Sequence, residues 1–579
     1  MLVSRFKRFF TLLLLLGVSM MTRSEAVYLK DFLQGIMPGE DAGYALTRAL
    51  NHCRATAADK LVLPGGTLFI TPAYLPEQYA FVSNNDESLK RIAFNLTGMH
   101  DFTVEGNGTT LLFSGYVTPF LMQDASDITV KDVSVDYVRT FHSEGVIEGS
   151  GKDYLDIRFT EEYPWTVTEG RLKFRDKENN DYPYTNLLEF DPAKRETAFM
   201  AKDYWIFSNG SMPAEKLENG NVRIFKENLT GKNGNILVFG AGDRLIPCFI
   251  VSDSRKIDLR HVNIYHCGGM GVIAQRSGDI TLDHVIVTPA PGKNRMISIT
   301  ADATHFSNCT GTIQMLDCTF ENQKDDATNI HGIYAVIDTI LSPQEMIMQL
   351  KHSQQHGFDF LKPGVSLELT DARSLISYGH LKVREAERLN KEYTRIVLEA
   401  PLPVGVKVKD VVASTDTHPD VIIRNCKMRG NRARGLLIGS RGKVLIENNY
   451  FHIAGASILF EGDGTYWYEQ SGVRDVTIRN NVFENCNYGV WGKSCIEVGS
   501  GIRADREKSR YHQNILVEEN TFRGFDTRLV NIYGVDGFTF RNNSVVKTND
   551  YPYIHEEKRP FVTENCDRVI IEMISPESR

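Results

Sequence analysis

Beyond its first two dozen residues the chain has no stretch approaching twenty consecutive apolar residues, which excludes a bundle of membrane-spanning helices. Cys-x-x-Cys spacing is missing as well. The nine cysteines, at 53, 248, 267, 309, 318, 426, 486, 495 and 566, are odd in number, which argues against a disulfide framework or a zinc site. They read as small buried apolar residues, since Cys267, Cys318, Cys426 and Cys486 fall at or just after predicted strands. No His/Asp/Glu set shows ligand spacing, so no metal is expected. Excess positive charge is lacking too: 65 basic groups stand against 73 acidic ones. What remains is an ordinary globular composition, 42% apolar and 24% charged over 579 residues, large enough for two to four structural units.

The one long apolar run lies at the start. Arg5, Lys7 and Arg8 precede Phe9 to Met21, and Ser24-Glu25-Ala26 forms a small-x-small exit, the pattern of a secretory signal over residues 1–26. The alternative is a retained N-terminal anchor, but the run is short for one. Export across the inner membrane to the periplasm or beyond is expected, with no membrane insertion once the signal is removed. Losing Arg5, Lys7, Arg8, Arg23 and Glu25 leaves 61 basic and 72 acidic groups, a net charge of −11. Such a field repels nucleic acid and acidic polysaccharide but not a neutral ligand.

Internal repetition is the strongest structural signal. Ile128–Val135, Ile257–Ile264, Ile280–Val287, Ile313–Phe320, Val421–Met428, Val444–Phe451, Val476–Phe483, Ile515–Phe522 and Phe538–Val545 share one phrase. Apolar residues alternate, Asn or Asp follows, and an apolar pair closes it. The starts at 257 and 280, 421 and 444, and 515 and 538 are each 23 residues apart. That length suits one coil of a parallel β-helix, with two short strands joined at a corner where Asn takes a left-handed conformation cheaply. Leucine-rich repeats are the rival, but their leucine spacing and helical half are missing. The expected fold is therefore all-β, a right-handed parallel β-helix.

Between Asp41 and Cys53, apolar residues at 45, 46, 49, 50 and 53 make one helical face, suited to cap an open coil end. Two stretches break the phrase, 139–248 and 334–415, and show plain strand alternation with turn clusters, as in Leu155–Phe159 and Val365–Leu369. Both read as inserted antiparallel β-barrel-like domains. The division is then 27–138 for the cap and first coils, 249–333 for the central coils, and 416–579 for the C-terminal coils.

Chemistry concentrates in Thr300–His305 and Gln323–His331. Asp302 and Asp325 are one coil length apart and are expected to stack, with Asp326 beside them. Three carboxylates so close cannot all ionise without cost, and at least one should hold a proton. A protonated carboxyl beside ionised ones is what glycoside hydrolysis needs. Strand neighbours alternate faces, so Asp325 and Asp326 share a face only at a corner or bulge.

Ser83–Phe94, Asp302 with Lys324–Asn329, and Asn431–Ile438 resemble glycoside hydrolase family 110, the bacterial α-1,3-galactosidases. The resemblance runs across nearly the whole mature chain and includes both inserts. It implies exo-action on terminal α-1,3-linked galactose, as in blood group B-type and linear glycans, with inversion and no cofactor. It also implies Asp325 as general acid, with Asp302 and Asp326 holding and activating water. Arg432 and Arg434 are sugar-hydroxyl donors or a solvated pair; Glu461 and Asp463 are acceptors or a simple turn. Trp467 either stacks on a pyranose or fills a satellite core. His305, Asn329 and His331 stand ready to hydrogen-bond sugar, although each histidine reads equally as structural. Two other classes compete: a non-catalytic β-helix adhesin, and a polysaccharide lyase, which needs a basic proton abstractor and commonly calcium. Homo-oligomerisation is left open.

Overall fold

The computed structural model describes residues 26–177, 179–206, 211–553 and 559–573; the signal segment, but for Ala26, lies outside them. No helix among the described residues is long and apolar enough to cross a membrane.

The repeated phrase stacks as coils of a parallel β-helix. Ile257 pairs in parallel with Ile128 on one side and Ile280 on the other, Val421 pairs with Val444, and Ile515 with Phe538. Each 23-residue separation is thus one turn of the coil. Alternation sends Ile257, Leu259, Val262 and Ile264 inward, where none is exposed. The fifth residue of every phrase makes the corner: Asp132, His261, His284, Asp317, Asn425, Asn448, Asn480, Glu519 and Asn542 all have φ between 51° and 57°. Asn holds four of the nine corners, consistent with its low cost there. The sixth residue turns inward. Early coils place Val133, Val262, Val285, Cys318 and Cys426 there, and later coils place Asn449, Asn481, Asn520 and Asn543. These buried amides form a ladder: Asn481 Oδ1 accepts the Asn449 backbone N–H at 2.9 Å, and Asn481 Nδ2 donates to the Ile446 carbonyl at 2.9 Å. All nine cysteines are free, and seven are buried.

Helix α1 (Gly43–Thr56) buries Ala45 and packs Leu46, Ala49, Leu50 and Cys53 into the same core as Leu61 and Val104 of the first coils. The first insert, from Ser143 to Gly240, is an eight-stranded antiparallel sheet with a separate hairpin, Trp165–Thr168 and Arg171–Phe174. Its Ile147, Leu155, Leu187 and Phe239 join the coil core. The second, Ala335 to Ser414, is a closed six-stranded barrel around its own core of Ile337, Met346, Leu367, Ile396 and Val412. Hydrogen bonding among the described residues therefore closes only the second insert.

Four strands in successive coils carry the site: β1 (Thr304–Ser307), β2 (Thr328–Ile333), β3 (Leu436–Ile438) and β4 (Ile458–Phe460). They pair in parallel in that order. A short fifth strand, β5 (Glu469–Gln470), lies antiparallel on the end of β2. Phe306 and Ile330 point into the coil core, so His305, Ser307, Asn329 and His331 face outward by alternation. The Ser83–Asn85 segment covers this outer face, with Ser83 Oγ 3.0 Å from Ser307 Oγ.

Candidate active site

Asp302 lies just before β1, and Asp325 and Asp326 just before β2. The register sets Thr304 against Thr328 and His305 against Asn329, an offset of 24 rather than 23. Asp302 therefore stacks on Asp326, not on Asp325 as the repeat length suggests. The Asp326 backbone N–H donates to Asp302 Oδ1 at 3.2 Å, and the Ala303 N–H donates to the Asp326 carbonyl. Both aspartates of the pair lie ahead of the strand in irregular backbone, so strand alternation does not separate them. Oxygens of all three carboxylates lie within 4.8 Å of one another.

That cluster corrects the reading that no acidic set has ligand spacing. Its negative charge, however, is met by protein cations. Arg434 grips Asp326 with Nε at 2.9 Å from Oδ1 and Nη2 at 2.8 Å from Oδ2. Asp325 sits between Arg432 Nη1 at 3.1 Å and Arg244 Nη2 at 2.9 Å. Asp302 Oδ2 is 2.8 Å from His305 Nδ1. Each of the six carboxylate oxygens thus has a nitrogen partner.

The electrostatics separate the three. Burial, then the neighbouring charge of Asp325, pushes Asp302 up to about 7. Burial also pushes Asp326 up to about 7 against the pull of Arg434. Burial would raise Asp325 likewise, but Arg432, Arg244 and Arg434 outweigh it and hold this carboxyl below its ordinary value. Two charge-assisted contacts from one guanidinium are the geometry of an ionised Asp326, so the proton shared by the trio belongs on Asp302. Asp325 is thus drawn toward the carboxylate form, so the acid role that the family resemblance implies for it requires that it take up a proton before cleavage.

Other expected contacts are redirected. Arg432 and Arg434 pair with the aspartates at the cavity wall, and Arg432 is fixed by Asp203 at 2.8 Å. Asp463 accepts the backbone N–H groups of Thr465, Tyr466 and Trp467 at 2.9, 2.8 and 2.7 Å; it builds the turn that presents Trp467. Both ring nitrogens of His305 are taken, by Asp302 and by His331 at 2.9 Å, and His331 Nδ1 meets the Gly332 carbonyl at 2.8 Å. Neither histidine is left for sugar. Asn329 is 5% exposed and its Oδ1 has no partner, as does Asn84 Oδ1; buried acceptors left open this way invite a ligand hydroxyl. Glu461 and Trp467 line the cavity.

The sequence reading missed Arg244, Asp203, Trp205, Gln354 and Glu469. The first three come from the first insert or its exit, where no repeat fixes position. Lys324, beside Asp325, is pushed by burial down to about 7 and donates to Asn186 Oδ1 at 2.7 Å. A Cβ on Gly240 would fall 1.5 Å from its Nζ, so any larger residue there must displace the Lys324 ammonium.

These groups line a cavity of about 220 Å³, with Trp205, Trp467, Gln354 and Leu437 around the trio. It is smaller than the roughly 300–1,000 Å³ usual for enclosed drug-sized ligands, and suits one sugar ring better than a chain.

Residues 143–237 match the family description GLAA-B beta-barrel domain I, 345–412 match GLAA-B beta-barrel domain II, and 411–567 match a right handed beta helix region. An alpha-1,3-galactosidase A of Shewanella woodyi is 35% identical over 549 residues, 94% of this chain and 89% of that protein. An alpha-1,3-galactosidase B of Bacteroides thetaiotaomicron is 29% identical over 570 residues, covering 96% and 92%. One of Akkermansia muciniphila, also named alpha-1,3-galactosidase B, is 29% identical over 93% of this chain and 68% of its own length.

Proposed function

The chain belongs to the α-1,3-galactosidases of glycoside hydrolase family 110, and from that premise we propose that it is an exported, exo-acting, inverting hydrolase of terminal α-1,3-linked galactose. One observation carries the reading: three carboxylates with oxygens within 4.8 Å of one another stand at the wall of a cavity the size of one sugar. A protonated carboxyl can release the glycosidic oxygen, and ionised ones can hold and deprotonate water. Blood group B-type branches and linear α-1,3-galactosyl chains are the substrates proposed. A binding-only adhesin has no use for a shared proton, and a lyase would need a basic abstractor where this site has paired arginines.

Inversion rests on the family. Inverting pairs usually stand ~6.5–9.5 Å apart and retaining pairs ~5–5.5 Å apart, whereas nearest oxygens here are within 4.8 Å. In favour of inversion, Asp325 and Asp326 have both oxygens engaged by guanidinium groups. Such carboxylates are poor nucleophiles. Proton NMR of the first galactose released from a galactosyl-α-1,3-galactose disaccharide decides it. The β anomer is expected; the α anomer means retention, and no galactose defeats the reading.

The acid is tested separately. Asp325→Asn is expected to abolish cleavage of the disaccharide yet retain turnover of an aryl galactoside whose leaving group needs no proton. Loss of both would move the acid role elsewhere in the trio.

A further inference from the structure

Behind the aspartates lies a line of buried groups that no step of simple two-carboxylate hydrolysis uses. Asp302 Oδ2 meets His305 Nδ1 at 2.8 Å, and His305 Nε2 meets His331 Nε2 at 2.9 Å. His331 Nε2 lies 3.6 Å from Glu469 Oε1, and Glu469 lines the sugar cavity. His305 and His331 are 1% and 5% exposed, and their rings meet edge to face at 4.9 Å. His331 Nε2 also has Ser307 Oγ at 3.4 Å. Asn84 Nδ2 fixes Glu469 Oε1 at 3.0 Å.

Hydrogen-bond polarity dictates where protons sit. The Gly332 carbonyl only accepts, so His331 carries a proton on Nδ1. With His331 neutral, its Nε2 is bare and His305 Nε2 must donate to it. A neutral His305 then has a bare Nδ1, and Asp302 must be the donor, as a carboxylic acid. Moving that proton inward makes Asp302 a carboxylate and His305 a cation. Moving it once more leaves His305 neutral, with its proton on Nδ1, and His331 cationic beside Glu469. All three arrangements hold the same single extra proton and differ only in its place along two hydrogen bonds.

We propose that Asp302, His305, His331 and Glu469 form a proton wire that sets the charge of Asp302 and drains the proton it takes from the attacking water. The inference rests on hydrolysis occurring at the aspartate trio. In the resting site the extra proton sits on Asp302. Priming breaks the Asp302 O–H bond and the His305 Nε2–H bond, and forms His305 Nδ1–H and His331 Nε2–H, with Glu469 facing the new cation. Asp302 then takes a proton from water as the water oxygen bonds to the anomeric carbon, while the glycosidic C–O bond breaks and its oxygen takes the proton that Asp325 has received from solvent. After the sugar leaves, His331 passes its proton to Glu469 and solvent, and the wire again holds one. Arg244, Asp325 and Arg434 also face Asp302, Asp325 and Arg244 face His305, and Glu461 faces the Glu469 end; the wire runs in their combined field. His305 and His331 touch no sugar in this scheme. They are positioning residues that act through Asp302.

The test is kcat and KM against pH for wild type, His331→Gln and Glu469→Gln on the galactosyl-α-1,3-galactose disaccharide. Glutamine keeps a hydrogen bond but cannot pass a proton. Expected is a fall in kcat of ten-fold or more for His331→Gln and about three-fold for Glu469→Gln. KM should stay within two-fold, with a displaced pH limb and a larger solvent deuterium isotope effect. A wild-type pH profile in folded His331→Gln overturns the wire, whether kcat is unchanged or uniformly lowered. Should that variant not fold, nitrogen-15 NMR of histidine-labelled wild type reads the protons directly. Neutral His305 protonated on Nε2 with His331 on Nδ1 supports the wire, and any other neutral pairing overturns it. A wild type that releases no galactose defeats the hydrolase reading, and the wire with it; an active wild type beside an unaffected His331→Gln defeats the wire alone.

Discussion

Asp302 shows how one residue couples stability to chemistry. Its carboxyl is raised in the folded protein to about 7 by burial, then by Asp325, against an unfolded value near 3.9. A group raised on folding favours the folded state fully below its unfolded pKa, and that contribution is lost as pH rises through the folded pKa. The wild type should therefore lose stability between about pH 4 and pH 7 through this residue. Asp302→Asn, which cannot ionise, should gain on the wild type across that window, by about 1–2 kcal/mol at pH 8 relative to pH 5. Thermal unfolding at the two pH values reads it, and a variant that falls behind at pH 8 would show the carboxylate to be better solvated than its burial implies. Galactose release should vanish at both.

At the scale of the coil, two adjacent residues of one phrase have opposite demands. Asn480 needs only left-handed backbone, with φ at 55°, so Asn480→Gly should be nearly neutral and Asn480→Val should cost about 1–2 kcal/mol. Asn481 faces inward and joins Asn449 to Asn520 through its amide. Asn481→Ala leaves buried donors unpaired at about 1–3 kcal/mol each, and a loss of about 2–4 kcal/mol is expected. Urea unfolding of the three variants separates these effects; equal losses at 480 and 481 would mean the ladder contributes nothing beyond the corner.

Across the whole molecule, a mature chain with a net charge of −11 meets a neutral substrate in a pocket whose arginines are already paired. Long-range steering has nothing to act on. The kcat/KM for the neutral disaccharide should change less than about two-fold between 0.05 and 0.5 M salt, where the Debye length falls from roughly 14 to 4 Å. A steep decline would instead reveal an electrostatic contribution to capture.

The chain sequence alone determined the coil. Alternation and a corner residue at the fifth place of every phrase act locally, and 23-residue spacing then leaves stacking as the only way to bury each apolar face. It also brought Asp302, Asp325 and Asp326 together, because residues one turn apart in a coil become neighbours. Only the tertiary structure decided which of them stack, since the turn from β1 to β2 is one residue longer than the repeat, and no repeat can announce its own exception. It decided too what surrounds them. Arg244, Asp203 and Glu469 arrive from outside β1 and β2, along chain paths with no period. Charge pairing across such paths depends on distances that sequence order does not encode, so the proton's place on Asp302, and the pair of histidines behind it, became legible only in three dimensions.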